Sequence, residues 1–377
     1  MVYLDNAATT FPKHESVYRE MDRVNRGLAV NAGRGSYKAA KEASNLILSA
    51  KAKIKGLFHA TENDDVVFTP SVTHAVNQVL RGIKIDAETV IYLTPYEHNA
   101  VARTVSAIQT ETGCRVEFLP LNEDFTIDTA QMEYDFSVVP PNLVIMNAVS
   151  NVTGYVLPIA DLCKAAKEYS AVTIIDAAQA SGLIDLQMDQ LDADIICFAG
   201  HKTIGGPFGI GGFLIKKNAE KYVSPSFTGG TGSNSLNTSM PSTAPEMYEA
   251  SSPNIIAIAG LNAALLHLNV QEHYEIVRHL TDYCVARLRE LPSVRILGLT
   301  DNAIGIISFV VEGYSSEDIG AILDEEFDIA VRTGYHCAPY IHSFLHDQPY
   351  SGTVRVGLGR YNTEEDIDIL ISALMTL

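Results

Sequence analysis

The chain of 377 residues carries 27 basic against 45 acidic side chains, a formal net charge of −18, with 47% hydrophobic and 19% charged residues. An acidic chain with no basic block opposes nucleic-acid binding, and no apolar run reaches the roughly 20 residues that a bilayer span requires, so neither a nucleic acid nor a membrane is an expected partner. The composition is that of an ordinary globular protein, and the length exceeds what one core usually holds, so two unequal domains are expected.

Residues 1–6 lack the basic and apolar regions of a secretory signal. The cysteines, Cys114, Cys163, Cys197, Cys284 and Cys337, are scattered and odd in number. Both observations point to a reduced, cytoplasmic setting. From residue 66 on, short β-rich runs alternate with amphipathic stretches. Residues 66–69, 90–94, 116–119, 143–148, 172–176 and 195–199 read as strands, most of them followed by a helix. This alternation predicts an α/β fold whose mainly parallel sheet is covered on both faces. A further strand is expected at 213–215, after the turn-rich stretch 205–212. Between 224 and 253 the chain is rich in Gly, Ser, Thr and Pro, which predicts a long irregular segment. Helical stretches at 255–268 and 274–291, a strand at 306–311, a helix at 317–327 and a strand at 353–357 then predict a smaller α+β unit, with the boundary near 255–258.

The chemistry concentrates where two apolar runs end. Residues 172–175 stop at Asp176, with Gln179 close behind, and residues 195–198 stop at Gly200, His201 and Lys202. Two buried strands would thus deliver a carboxylate and an amine at their carboxyl ends, where α/β proteins build ligand crevices. Pyridoxal phosphate needs both, an acid for its ring nitrogen and a lysine for its aldehyde. Taken singly, Lys202 also reads as a surface lysine and Asp176 as a structural ion pair or helix cap. Residues 69–73, including Val72 and Thr73, lie between a strand and a helix, where free amides and hydroxyls suit a phosphate or simply cap the helix.

The glycine-rich stretches 205–212 and 229–235 carry neither a phosphate-loop lysine nor the acidic residue of a dinucleotide site, and read as loops. His336, Cys337, His342 and His346 form the densest cluster of soft ligands, but their spacing fits no common zinc pattern, so no metal is expected. Cys337 reads either as a thiol catalyst or as a small buried hydrophobe. Arg355, inside the strand at 353–357, offers a fork able to grip a carboxylate in two places, or lies on a solvated strand face.

In chain order, YLDNAATT at 3–10, EHNA at 97–100, SNVTG at 150–154, IIDAAQA at 174–180, GHK at 200–202, RTGYHCAP at 332–339 and GTVRVGLGRYNTEED at 352–366 resemble the class V aminotransferase-fold cysteine desulfurases, in the group that includes the SufS-type desulfurases and selenocysteine lyases. The resemblance runs nearly end to end. It implies a fold type I PLP-dependent enzyme and a homodimer, with a large domain at 16–257 holding a seven-stranded sheet and a small α+β domain at 1–15 and 258–377. It implies Lys202 as the Schiff-base lysine, Asp176 on the pyridine nitrogen, Gln179 on the phenolic oxygen, His98 stacked on the ring, and Asn151 near the phenolic oxygen and substrate. Val72, Thr73 and His201 match phosphate-binding positions, and Ser252 the position that reaches the partner subunit's phosphate. Arg355 matches the binder of the substrate carboxylate and Cys337 the sulfur-accepting nucleophile. Three departures stand out: Ala199 where many relatives place a serine, Ser251 and Ser252 where a Gly and Thr pair is usual, and Met247 where an arginine is common.

The activity implied is conversion of L-cysteine to L-alanine, with the sulfur passed to Cys337 as a persulfide and on to a sulfur-acceptor protein. Selenocysteine lyase, or an aminotransferase or epimerase on the same scaffold, are the enzymatic alternatives. A non-catalytic sulfur-relay or regulatory protein with a vestigial pocket is the alternative outside enzymes.

Overall fold

The computed structural model describes residues 1–32, 35–232 and 236–377. In chain order its strands are β1 (Val2–Tyr3), β2 (Asp65–Thr69), β3 (Val90–Leu93), β4 (Arg115–Phe118), β5 (Leu143–Asn147), β6 (Val172–Asp176), β7 (Ile195–Ala199), β8 (Gly211–Ile215), β9 (Val294–Ile296), β10 (Ile306–Val311), β11 (Ile329–Ala330), β12 (Arg332–Gly334) and β13 (Thr353–Gly357). The large sheet has seven strands in the order β2-β8-β7-β6-β5-β3-β4. All neighbours run parallel except β8, which is antiparallel to both β2 and β7. A parallel sheet exposes neither face, and every residue of β5, β6, β7 and β8 is buried accordingly. One face packs through Phe58, Phe198, Tyr96 and Phe136, the other through Leu80, Leu93, Val101 and Phe213. Each large side chain so buried contributes about 1.5–3 kcal/mol.

Most expected boundaries move by a few residues, and one shift has a structural reason. The seventh strand was expected at 213–215, yet it begins at Gly211, because Gly211 and Gly212 pair with Thr69 and Phe68 on one side and with Ala199 and Phe198 on the other. These glycines serve close approach rather than a turn: a Cβ on Gly211 would lie 2.8 Å from the Val72 nitrogen. The loop reading of 205–212 therefore holds only to residue 210. None of the described residues between 224 and 254 lies in a helix or strand, while residues 233–235 of the glycine-rich stretch 229–235 lie outside the described residues.

The smaller unit is an antiparallel sheet in the order β12-β13-β10-β9. Helices Val270–Arg289, Ser316–Phe327 and Glu364–Leu374 close over it through Leu280, Leu323, Phe309 and Leu370. The amino terminus joins this unit, since β1 pairs in parallel with β11 and Asp5 bridges to Gly357. Helix Ile255–Leu266 lies against helices Glu15–Gly27 and Lys38–Leu57, with Val24, Leu28, Ala43 and Ala259 between them.

Candidate active site

The register of the large sheet sets the site. Asp176, the last residue of β6, lies beside Asn147 of β5 and Cys197 of β7. It is 3% exposed, and one carboxylate oxygen accepts from the Ala178 N–H at 2.9 Å. Burial pushes this carboxyl up from its ordinary value, against the Ala178 N–H and the Lys202 charge, which favour the anion. Beyond β7 the chain turns tightly: Gly205 N–H donates to the Lys202 carbonyl at 2.7 Å and Gly206 N–H to the Gly200 carbonyl at 2.8 Å. The left-handed backbone this turn needs is supplied by Gly205, at φ +82°. Thr10 anchors the same carbonyl of Lys202 through its hydroxyl at 2.5 Å.

Among the described residues the Lys202 amine has no hydrogen-bond partner, and burial lowers its pKa to about 8. Four further groups act on that charge: Asp176 and the Cys337 thiol hold it up, while Arg355 and Arg332 push it down. The end of β6, strands β12 and β13 and the segment after β12 thus all contribute charges that act on the one amine beyond β7. His98 caps helix Asn99–Thr112, with Nδ1 accepting from the Ala100 N–H at 3.0 Å. Burial first, then the charges of Lys202, Arg355, Arg332 and Arg103, depress its pKa to about 4, so the ring is neutral at physiological pH.

Arg355 enters from β13 and is 3% exposed. One terminal nitrogen donates to the Asn151 carbonyl at 2.9 Å and the other to Asp5 at 2.8 Å, while Nε has no partner. Directly across the strand pair sits Arg332. Like charges in opposed positions repel, so an anion between them would relieve the pair. Asn151 donates its side-chain amide to the His336 carbonyl at 2.6 Å, which leaves its buried Oδ1 without a partner. Cys337 is exposed and has φ +58°, after His336 at +46°. Gln179 is buried and donates to the Ala7 carbonyl at 2.9 Å.

A second group surrounds Gly211. Because this glycine pairs with both Thr69 and Ala199, the segments 70–73 and 200–202 leave the sheet at one level. Ser71 caps helix Val72–Gly82 and accepts from the His74 N–H, so Val72 and Thr73 hold the remaining free N–H groups of the first turn. His201 stacks on Phe208 at 4.7 Å between ring centroids, burial depresses its pKa to about 4, and its buried Nδ1 lacks a partner. Ser252 stands apart: it is exposed, and among the described residues its hydroxyl meets Asn31 at 3.3 Å rather than any other candidate.

The departures acquire physical meaning. Ala199 is fully buried and packs in the apolar layer that includes Phe213, which a methyl group suits. Met247 is 9% exposed and packs in the apolar layer with Phe213, Ala244 and Tyr248, a place that suits it. Ser251 has φ +97°, a conformation that favours glycine.

The orphaned polar atoms test the fit of pyridoxal phosphate. An unpartnered amine, a buried carboxyl, a neutral imidazole, free helix amides and the partnerless Nδ1 of His201 and Oδ1 of Asn151 together match an aldehyde, a ring nitrogen, a ring face, a phosphate and a phenolic oxygen. The residues present fit the group.

Sequence reasoning missed three contributors. Asp5, which pairs with Arg355, follows a strand too short for any periodicity. Arg332 becomes visible only through the β12–β13 register. Glu97 is fully buried, accepts from Thr94 at 2.6 Å and from the Asn147 N–H at 2.9 Å, and is pushed up to about 8, chiefly by burial and further by Asp176. Its signal was an acid next to His98 in an apolar setting.

The class-V aminotransferase family model matches residues 2–370. A probable cysteine desulfurase of Streptomyces coelicolor is 31% identical, over 99% of this chain and 91% of its own length. A cysteine desulfurase of an Enterobacter species is 28% identical, over 99% and 92%. Among solved structures, the apo cysteine desulfurase of Thermococcus onnurineus superposes with a TM-score of 0.92 at 28% identity, covering 99% of this chain and 94% of that one. An Escherichia coli cysteine desulfurase in its S-sulfonic acid form gives 0.87 at 26% identity, covering 100% and 94%.

Proposed function

The chain belongs to the class-V aminotransferase family, whose cofactor is pyridoxal phosphate, and from that premise we propose that it is a cysteine desulfurase that converts L-cysteine to L-alanine and receives the sulfur on Cys337. The observation that carries this reading is that the buried Lys202 amine lies within the electrostatic reach of Asp176, Arg355 and the Cys337 thiol together. An aminotransferase or epimerase has no use for a thiol in that position.

When bound, the cofactor supplies an aldehyde for amines and a cationic ring that accepts electron density from the substrate α-carbon. The chain's residues do the rest. Lys202 would hold the aldehyde, and its lowered pKa suits an amine that takes a proton from the substrate α-carbon. Asp176 would hold the ring nitrogen. His98, neutral and aligned by its cap, would pack on the ring face, and Gln179 and Asn151 would hold the phenolic oxygen. The amides of Val72 and Thr73, with His201, hold the phosphate.

Arg355 grips the substrate carboxylate, its fork already oriented by Asp5 and Asn151. The Cys337 thiolate attacks the substrate sulfur: a sulfur–sulfur bond forms, the carbon–sulfur bond breaks, its electron pair stays with the substrate carbon, which takes a proton, and return of a proton from Lys202 to the α-carbon completes alanine.

We further propose a homodimer in which Ser252 reaches the neighbouring subunit's phosphate, supported by exposed Phe208 and Phe227. The sulfur acceptor would be a neutral or basic protein, in keeping with the charge of −18, and the unpaired cysteines suit the cytoplasm. The test is incubation of the PLP-loaded protein with L-cysteine and a thiol reductant. Equal amounts of sulfide and alanine are expected from the parent and neither from C337A, which keeps its cofactor. Keto acid or D-amino acid as the product, or an unaffected C337A, would overturn the reading.

A further inference from the structure

Three consecutive carbonyls around Cys337 are each gripped by a different part of the fold. The carbonyl of Cys337 accepts from the Asn99 N–H at 2.7 Å, at the start of helix Asn99–Thr112. That of His336 accepts from Asn151 at 2.6 Å. That of Tyr335 accepts from His342 Nε2 at 2.8 Å and from the Ala338 N–H at 3.1 Å. These grips matter because His336 and Cys337 both occupy the left-handed region, which non-glycine residues hold only when their surroundings impose it.

Of these donors, His342 has an unusual setting. It is 3% exposed, and its other nitrogen, Nδ1, meets Asp347 at 2.5 Å, a residue with no exposed surface and one carboxylate oxygen without a partner. A carbonyl only accepts, so Nε2 carries a proton. The Nδ1–carboxylate contact requires a second. The contact with Asp347 fixes the orientation of the ring and so aims Nε2–H at the Tyr335 carbonyl. Both nitrogens of His342 are committed, which takes it out of the soft-ligand cluster that the sequence suggested.

We propose that His342, held in place by Asp347, is a positioning residue for sulfur transfer: its clamp on the Tyr335 carbonyl holds the left-handed turn that presents Cys337 to the substrate. The inference rests on the role given above to Cys337. His342 touches neither substrate nor cofactor; it acts through the backbone two residues before the thiol.

The test compares the PLP-loaded parent with H342A, H342Q and D347N. H342Q retains an amide donor and D347N leaves a hydrogen-bonding partner for Nδ1, so the milder variants guard against simple unfolding. Removing the clamp in H342A is expected to lower kcat for L-cysteine by about tenfold to a hundredfold, the scale of a small misplacement of a reacting group, with KM and cofactor content unchanged. H342Q and D347N should fall between H342A and the parent. Amide hydrogen exchange at Ala338 should quicken in the same order. A parental kcat in H342A, or a loss of kcat matched by loss of bound cofactor or a raised KM, would overturn the proposal. If the parent itself releases no sulfide, the desulfurase reading fails, whereas the exchange rate at Ala338 still reports on the clamp.

Discussion

Replacing Arg355 by lysine keeps a positive charge beside Asp5 but exchanges a planar fork for a single ammonium. In the parent, one terminal nitrogen is held by the Asn151 carbonyl at 2.9 Å and the other by Asp5 at 2.8 Å, and Nε is free. A lysine at 355 can satisfy Asp5, yet it cannot also offer two parallel donors to a substrate carboxylate. The loss is one charge-assisted hydrogen bond, worth about 1.5–3 kcal/mol. At about 1.4 kcal/mol per decade, that is a fall of roughly 10- to 150-fold in kcat/KM. The fall should appear mainly in KM, because the carboxylate is gripped equally before and during reaction. The assay is initial-rate alanine formation over a range of L-cysteine concentrations with excess PLP and reductant, with the thermal midpoint as a check on folding. A folded R355K with a KM unchanged from the parent would refute the assignment of Arg355 as the carboxylate grip.

Burial lowers the Lys202 pKa to about 8, so the neutral amine gains population as pH rises through that value. Capture of PLP by cofactor-free protein, followed by absorbance, should accelerate up to about pH 8 and then level off; a rate flat from about pH 6 to about pH 9 would contradict the reading. Glu97, with its pKa raised from 4.5 to about 8, contributes stability that is fully present below 4.5 and is lost as pH rises towards 8. E97Q should lack this decline, and a pH–stability curve parallel to the parent's between those values would show that Glu97 is ionised in the fold. Relief of the left-handed strain at Ser251, about 1–3 kcal/mol, exceeds the backbone-entropy cost of glycine, about 0.5–1 kcal/mol. S251G should therefore raise the denaturant midpoint by an amount equivalent to about 1 kcal/mol; an unchanged or lower midpoint would mean that the conformation is unstrained.

The middle of the large sheet was legible because β5, β6 and β7 are buried on both faces and so read as apolar runs. The same property made Asp176 conspicuous, since a charge at the end of such a run needs a partner. Lys202 gained meaning only beside Asp176, and the glycines after it marked the turn. What escaped depended on distant pairing. The two residues of β1 find their partners at Ile329 and Ala330, so nothing local announces Asp5 as the counter-charge of Arg355. Gly211 and Gly212 looked like turn residues because glycine serves both a turn and a close strand contact, and only the register separates the two. His342 counted as a potential metal ligand from spacing alone, whereas its two hydrogen bonds reach backwards to Tyr335 and forwards to Asp347. Individual roles such as that of Gln179 came through family resemblance; its amide geometry alone shows only a link to Ala7.

The central claim, that the thiol of Cys337 receives sulfur at the site built around Lys202, is tested most directly by mass spectrometry of the PLP-loaded protein after a brief exposure to L-cysteine without reductant. The account predicts one added sulfur atom on the peptide bearing Cys337, removed by a reductant and absent from K202A. An unmodified Cys337 alongside continuing alanine formation, or added sulfur on a different cysteine, would contradict it.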